Sequence, residues 1–206
     1  MRLVLASNNA GKLAELQTLL APLGVELVTQ GSLAIPEAEE PHASFVENAL
    51  AKARHAARAS GGAAIADDSG LCVEALGGAP GVVSAHYAPL TLPAGEREAR
   101  RRAQDAANNA LLLQCMVGMT DRRARFVCTL IALRGADDPE PLIATGRWQG
   151  TLLHEAQGSG GFGYDPLLFI RALGRSVAEL DSAVKNAHSH RAIASRQMLA
   201  LMREVW

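Results

Sequence analysis

Apolar and polar positions change their period several times along the chain. Leu3-Val4-Leu5-Ala6 is a short apolar run that turns polar at Ser7-Asn8-Asn9-Ala10-Gly11. Leu13, Leu16, Leu20 and Leu23 then recur at helical spacing until Pro22-Leu23-Gly24 stops them. This predicts a strand, a polar turn and a helix. Val25-Glu26-Leu27-Val28 predicts a second strand, followed by a loop with Pro36, Pro41, Glu37, Glu39 and Glu40. From Ser44, the stripe Val46, Leu50, Ala53 and Ala57 predicts a helix closed by Gly61-Gly62, with Asn48, Lys52 and His55 on the opposite side. Residues 63–66 predict a buried strand ending at Asp67-Asp68-Ser69-Gly70.

A charged helix is expected over residues 96–116, then strands over 126–133 and 142–145 joined as a hairpin. The last third holds the glycine-rich run 158–163, a short strand at 167–170 and a final helix from about Ser189. Early alternation of strands and helices, followed by hairpin-like strands, predicts an α/β fold with a mixed sheet. There is no internal repeat.

At 206 residues the chain fits a single domain, 1–206, with room for two closely packed lobes. Its 49% hydrophobic and 20% charged residues are a globular balance that excludes collagen, coiled coil and disorder. A net charge of −1 provides no bulk field to hold a nucleic-acid backbone or an anionic membrane, so neither is an expected partner. Cys72, Cys115 and Cys128 lack CxxC spacing, and an odd number of cysteines fits a reducing compartment. The first apolar run is too short for a signal peptide and no stretch approaches a membrane span, so the expected location is cytoplasmic.

Several motifs carry candidate chemistry. Gly11-Lys12 falls short of a P-loop, which needs Gly where Ala6 stands and Ser or Thr where Leu13 stands. What remains is either an anion seat at a helix N-terminus, with Lys12 in the first turn, or an ordinary capped turn. Gly158, Gly160 and Gly163 match G-x-G-x-x-G, but Pro166 and a strand follow instead of a helix, so the dinucleotide reading fails. Phe162, Tyr164 and Asp165 among those glycines read as a planar-ring platform with a carboxylate, or as a flexible loop.

Asp67-Asp68 sits where open α/β sheets bind ligands, although a solvated turn is the plainer reading. Pleating sends the two side chains to opposite faces, so one at most points into a cleft. With Glu39 or Glu40 from the proline-bounded loop, a Mg²⁺ could be held by one or two carboxylates plus substrate phosphates. Arg191 falls on the apolar stripe of the last helix, one turn before Ala194, where it needs an acceptor: a structural carboxylate or a ligand. His188 and His190 lack zinc-site spacing. Arg97, Arg100, Arg101 and Arg102, interleaved with Glu96, Glu98 and Asp105, read as a solvated or subunit-facing surface with no catalytic role.

Six segments in order resemble the inosine triphosphate pyrophosphatase family, the XTP/dITP diphosphatases. They are Ser7-Asn8-Asn9-Ala10-Gly11-Lys12, residues 45–52, residues 66–71, residues 76–81, residues 160–166, and Lys185 with Ser189-His190-Arg191. The family's first motif often has Thr-Gly where this chain has Ser7-Asn8, which keeps the hydroxyl.

The resemblance implies a long mixed β-sheet flanked by helices, two lobes with a central active-site cleft, and a homodimer. It also implies Mg²⁺-dependent hydrolysis of ITP, dITP or XTP to the monophosphate and pyrophosphate. Carried over, Ser7, Asn8, Asn9, Ala10, Gly11 and Lys12 would contact the triphosphate, with Lys52 a further phosphate candidate. Glu39, with Glu40 second, and Asp68 would serve the metal, and Asp68 would also accept the proton. Ser69 would touch substrate, and Phe162, Gly163, Tyr164, Asp165, Lys185, His190 and Arg191 would surround the purine. The alternatives are a non-catalytic nucleotide-binding regulator and a single-strand reader using Phe162 and Tyr164, the latter disfavoured by 4% aromatics.

Overall fold

The computed structural model describes residues 2–91 and 96–206. Strands β1 (Arg2–Leu5), β2 (Glu26–Thr29), β3 (Ala64–Val73), β4 (Arg123–Leu133), β5 (Leu142–Leu152), β6 (Leu168–Ile170) and β7 (Arg175–Ser176) form one sheet in the order β2-β1-β3-β4-β5-β6-β7. β1 runs parallel to both β2 and β3, while β5, β6 and β7 are successively antiparallel. The sheet is therefore mixed, as the alternation of elements predicts. The helices are α1 (Ala10–Leu20), α2 (Phe45–Ser60), α3 (Arg97–Cys115), α4 (Ser182–His188) and α5 (His190–Val205). No helix among the described residues is long and apolar enough to cross a membrane.

The chain divides into two compact units. The first comprises Met1–Asp68, Cys128–Arg147 and Asn186–Trp206, and the second Ser69–Val127 and Trp148–Lys185. In the first, the pleat of β1 sends Leu3 and Leu5 to one face, where they pack with Leu16 and Leu20 of α1 and Ala194, Met198 and Met202 of α5. Val4 and Ala6 go to the other face, against Ala49, Ala53, Ala56 and Ala57 of α2. Burial on both faces explains why β1 is apolar from Leu3 onward rather than alternating. In the second unit, Leu71, Val73, Leu112, Phe126, Trp148, Tyr164 and Leu168 form a separate core.

Capping fixes the helix starts. Asn9 accepts the Lys12 N–H at the start of α1, Ser44 accepts the Glu47 N–H at the start of α2, and Ser189 accepts the Ala192 N–H at the start of α5. The first turn of α5 packs hard against β5, where a Cβ on Gly146 would lie 1.9 Å from the His190 carbonyl oxygen.

Two sequence expectations change. β3 continues to Val73, so Asp67 and Asp68 lie inside a strand rather than at its end. The buried stripe of α2 is made of alanines, with Val46 38% exposed. On the side opposite the expected stripe, Asn48 and Lys52 are buried as well. The short helix α4 was not foreseen.

Candidate active site

In the first unit, β1 leads into the 7–12 turn and α1. The Ser7 hydroxyl accepts the Asn9 N–H at 3.2 Å and the Asn9 carboxamide accepts the Lys12 N–H at 3.1 Å. Asn8 donates from Nδ2 to Glu37 at 2.9 Å. Ser7, Asn8, Asn9, Gly11 and Lys12 are half-buried and Ala10 is exposed. A helix start of this kind leaves main-chain N–H groups for an anion.

Asp67 and Asp68 meet different cations. The Lys12 ammonium lies 2.7 Å from Asp67 Oδ1, and the Arg191 guanidinium donates from Nε to Oδ2 at 2.7 Å. Arg191 also pairs with Glu15, one turn after Lys12 on α1, and the Cys128 thiol donates to Asp67 Oδ2 at 3.3 Å. Arg191 is 1% exposed. Its position on the apolar stripe is met by two structural carboxylates, Asp67 and Glu15. Burial pushes the Asp67 carboxyl up, but Arg191 and then Lys12 outweigh it and hold the group well below the usual carboxylate range. Two cations against two carboxylates leave this cluster balanced.

Asp68 belongs to a second cluster. Lys52 donates from Nζ to Asp68 Oδ1 at 2.7 Å and to Glu40 Oε2 at 2.8 Å. The loop bearing Glu40 is tied to α2 at two points. Asn48 accepts the His42 N–H at 3.0 Å and donates to the His42 carbonyl at 3.1 Å, and His55 Nε2 lies 2.9 Å from the Pro36 carbonyl oxygen. Both Glu39 and Glu40 are exposed, and it is Glu40 that reaches Lys52. Burial pushes Asp68 up to about 6 against the opposing pull of Lys52. Burial also opposes the charges of Lys52 and Glu40, but attraction wins for both: Asp68 raises Lys52, and Lys52 lowers Glu40.

The donor set fits a hard cation. Asp68 Oδ2 is buried without a hydrogen-bond partner, and two carboxylates share one ammonium, leaving a negative charge in excess. No group of three metal-ligating side chains occurs among the described residues, so such an ion would need further oxygens from elsewhere.

The second unit holds the other sequence candidates. Asp165 accepts the Phe162 N–H at 2.9 Å and the Lys185 ammonium at 2.7 Å, both on Oδ2. Lys185 Nζ sits 4.5 Å from the centroid of the Phe162 ring, and the Arg101 guanidinium 5.4 Å from it. Asp105 and Asn109 bind the two peptide groups of Gly163. Tyr164 is a core residue whose hydroxyl donates to the Ser84 carbonyl at 2.9 Å, so Phe162 is the half-buried ring of this loop. Ser69 is half-buried directly after Asp68 on β3, and His190, in the first unit, is 6% exposed at the start of α5.

Sequence reasoning missed Glu15, Asn48, Arg101, Asp105 and Asn109. Glu15 follows Lys12 by three residues on a helix, a spacing that places both on one face, where Lys12 meets Asp67 and Glu15 meets Arg191. Arg101 was hidden by its charged neighbours.

Comparison with known proteins gives one consistent result. The Ham1 family model matches residues 3–201. A dITP/XTP pyrophosphatase of Methylibium petroleiphilum is 70% identical over 206 residues, covering all of this chain and 99% of the relative. Another of that name, from Ralstonia nicotianae, is 57% identical over 98% of this chain and 96% of its own length. Among solved structures, a HAM1 protein from Coxiella burnetii superposes with a TM-score of 0.87 at 40% identity, over 100% of both chains. A nucleoside-triphosphatase / dITP/XTP pyrophosphatase from Mycobacterium abscessus gives 0.71 at 40% identity, over 98% of this chain and 99% of that one.

Proposed function

The chain belongs to the Ham1 family, and on that premise we propose that it hydrolyses deaminated purine nucleoside triphosphates, ITP, dITP and XTP, to the monophosphate and pyrophosphate. The names of its relatives support the substrate class. The observation that carries the reading is Asp68, a buried carboxylate with one oxygen on Lys52 and the other without a partner. Its strand is paired with β1, which leads into the 7–12 turn.

In this reading the 7–12 turn and Lys12 bind the triphosphate through N–H groups and an ammonium. Asp68 and Glu40 would hold a Mg²⁺, which would supply positive charge against the phosphate oxygens. Asp68 orients a water toward the α-phosphorus and takes its proton. The bond from that phosphorus to the bridging oxygen breaks, and pyrophosphate leaves. Lys52 keeps Asp68 in place and, with Lys12, offsets charge developing on the phosphate.

Phe162 offers its ring to the purine and Lys185 a donor to its edge. An ammonium donates but cannot accept, so it matches the 6-oxo group of hypoxanthine or xanthine and opposes the 6-amino group of adenine. Arg191, spent on Asp67 and Glu15, is assigned to positioning Asp67 rather than to the base. The reading extends to a homodimer working in the cytoplasm, and three cysteines outside any disulfide fit a reducing compartment.

The test is to incubate the protein and Mg²⁺ with ITP, dITP, XTP, GTP and ATP and quantify pyrophosphate directly. Pyrophosphate from the deaminated nucleotides, with kcat/KM for ITP about 10–100-fold above ATP, supports the reading. Orthophosphate as first product, or equal use of ATP, contradicts it.

A further inference from the structure

We propose that α3 positions the purine-recognition loop: Asp105 and Asn109 grip Gly163 by both of its peptide groups, and Arg101 braces the Phe162 ring. This rests on the reading that the 162–165 loop meets the base.

Residues 101, 105 and 109 recur at a four-residue interval, so one face of α3 presents all three. Asp105 Oδ2 accepts the Gly163 N–H at 2.9 Å and Asn109 Nδ2 donates to the Gly163 carbonyl at 3.0 Å. One residue of the loop is thus held at its donor and its acceptor by consecutive turns of a 19-residue helix. The residue on either side is held as well. The Phe162 N–H goes to Asp165, and Tyr164 is anchored in the core through Ser84. Gly163 itself has a φ of +61°, a left-handed conformation in which a side chain is strained, so its two external bonds act on a position that only glycine adopts readily.

Arg101 is itself fixed. Glu98 accepts from its Nε at 3.1 Å and its Nη2 at 2.6 Å, and Asp105 lies 3.7 Å from Nη1. Its guanidinium and the Lys185 ammonium both approach the Phe162 ring. A loop with three glycines among residues 160–163 would otherwise sample many ring orientations, and ordering it on binding would weaken affinity. Tethering by α3 removes that cost in advance, so Asp105 and Asn109 are positioning residues for base recognition.

The experiment measures KM and kcat for ITP, and the Ki of inorganic tripolyphosphate, in Asp105→Ala, Asp105→Asn and Asn109→Ala. Tripolyphosphate carries the phosphate chain without a base. The expected result is a rise in KM for ITP of about 5–30-fold in Asp105→Ala and Asn109→Ala, from loss of one hydrogen bond each. Tripolyphosphate Ki should stay within about twofold. Asp105→Asn keeps an acceptor for the Gly163 N–H and should restore most of the ITP affinity. Unchanged ITP KM in both alanine variants overturns the proposal, as does a parallel loss of ITP and tripolyphosphate binding. Should Asp105→Ala not fold, Asn109→Ala decides by the same criteria. Failure of the underlying reading is a separate result, since the unmutated protein would then release no pyrophosphate from ITP.

Discussion

Asp67 and Asp68 are consecutive on β3, yet each is tied to a different set of cations: Asp67 to Arg191 and Lys12, Asp68 to Lys52. Pleating separates them, and the separation divides the labour. Asp67 has cations on both oxygens and works as an anchor, whereas Asp68 keeps one oxygen without a partner.

Removing the anchor is expected to cost stability first. In Asp67→Ala, Arg191 stays buried without its Asp67 carboxylate, and breaking a buried pair from one side costs about 3–5 kcal/mol. For a chain of this length, Tm should fall by roughly 6–20 °C. The double variant Asp67→Ala/Arg191→Met should lose less than the sum of the singles, because the stranded charge is gone. Calorimetry of the three variants checks this. Additive losses would separate the two residues.

The two glutamates of the 36–42 loop should differ in metal dependence. Glu40→Gln removes a carboxylate beside Asp68 and is expected to raise the Mg²⁺ concentration giving half-maximal activity by about 10-fold or more. Glu39→Gln should leave it within about twofold, since it is Glu40 that meets Lys52 beside Asp68. A Mg²⁺ titration of activity at saturating ITP reads both, and the reverse order would reassign the ligand.

Much of the first unit was legible in the sequence because its signals are local. The strand, polar turn and helix at the N-terminus, the caps Ser44, Gly61 and Ser189, and Arg191 on an apolar stripe all follow from neighbours within a few residues. Charges at 67 and 68 suggested the end of a strand, because burying them requires cations that arrive from Lys12, Lys52 and Arg191, the last 124 residues away. The α2 stripe was misread for a related reason. Val46 and Leu50 outweigh alanines on any hydrophobicity scale, but only a small side chain fits where α2 lies close against the sheet residues Val4, Ala64 and Ala66. Nor could periodicity distinguish Glu39 from Glu40, or show that Arg101 and Asp105 face the 162–165 loop.

Acid should weaken the turn between β4 and β5. Asp138, with a side chain 3% exposed, accepts the N–H of Arg134 at 2.8 Å and that of Glu140 at 3.0 Å. Burial pushes its carboxyl up, but those N–H groups and the Arg134 guanidinium outweigh it and hold the pKa down. A carboxyl depressed in the folded state stabilises it above the unfolded pKa of about 4, and that contribution fades as pH falls through the lower folded value. Asp138→Ala should therefore cost about 1–3 kcal/mol at pH 7 and less at pH 3. Urea unfolding at both values tests this, and a penalty that grows in acid would contradict it.

In the proposed mechanism Asp68 activates the water, and the kcat of Asp68→Asn for ITP at saturating Mg²⁺ measures that role. The substitution keeps the shape and the contact with Lys52 while removing the proton acceptor. A fall in kcat of about 10²–10⁴-fold is expected with ITP still bound, whereas Lys12→Ala should chiefly raise KM. A kcat near that of the unmutated protein in Asp68→Asn would contradict it.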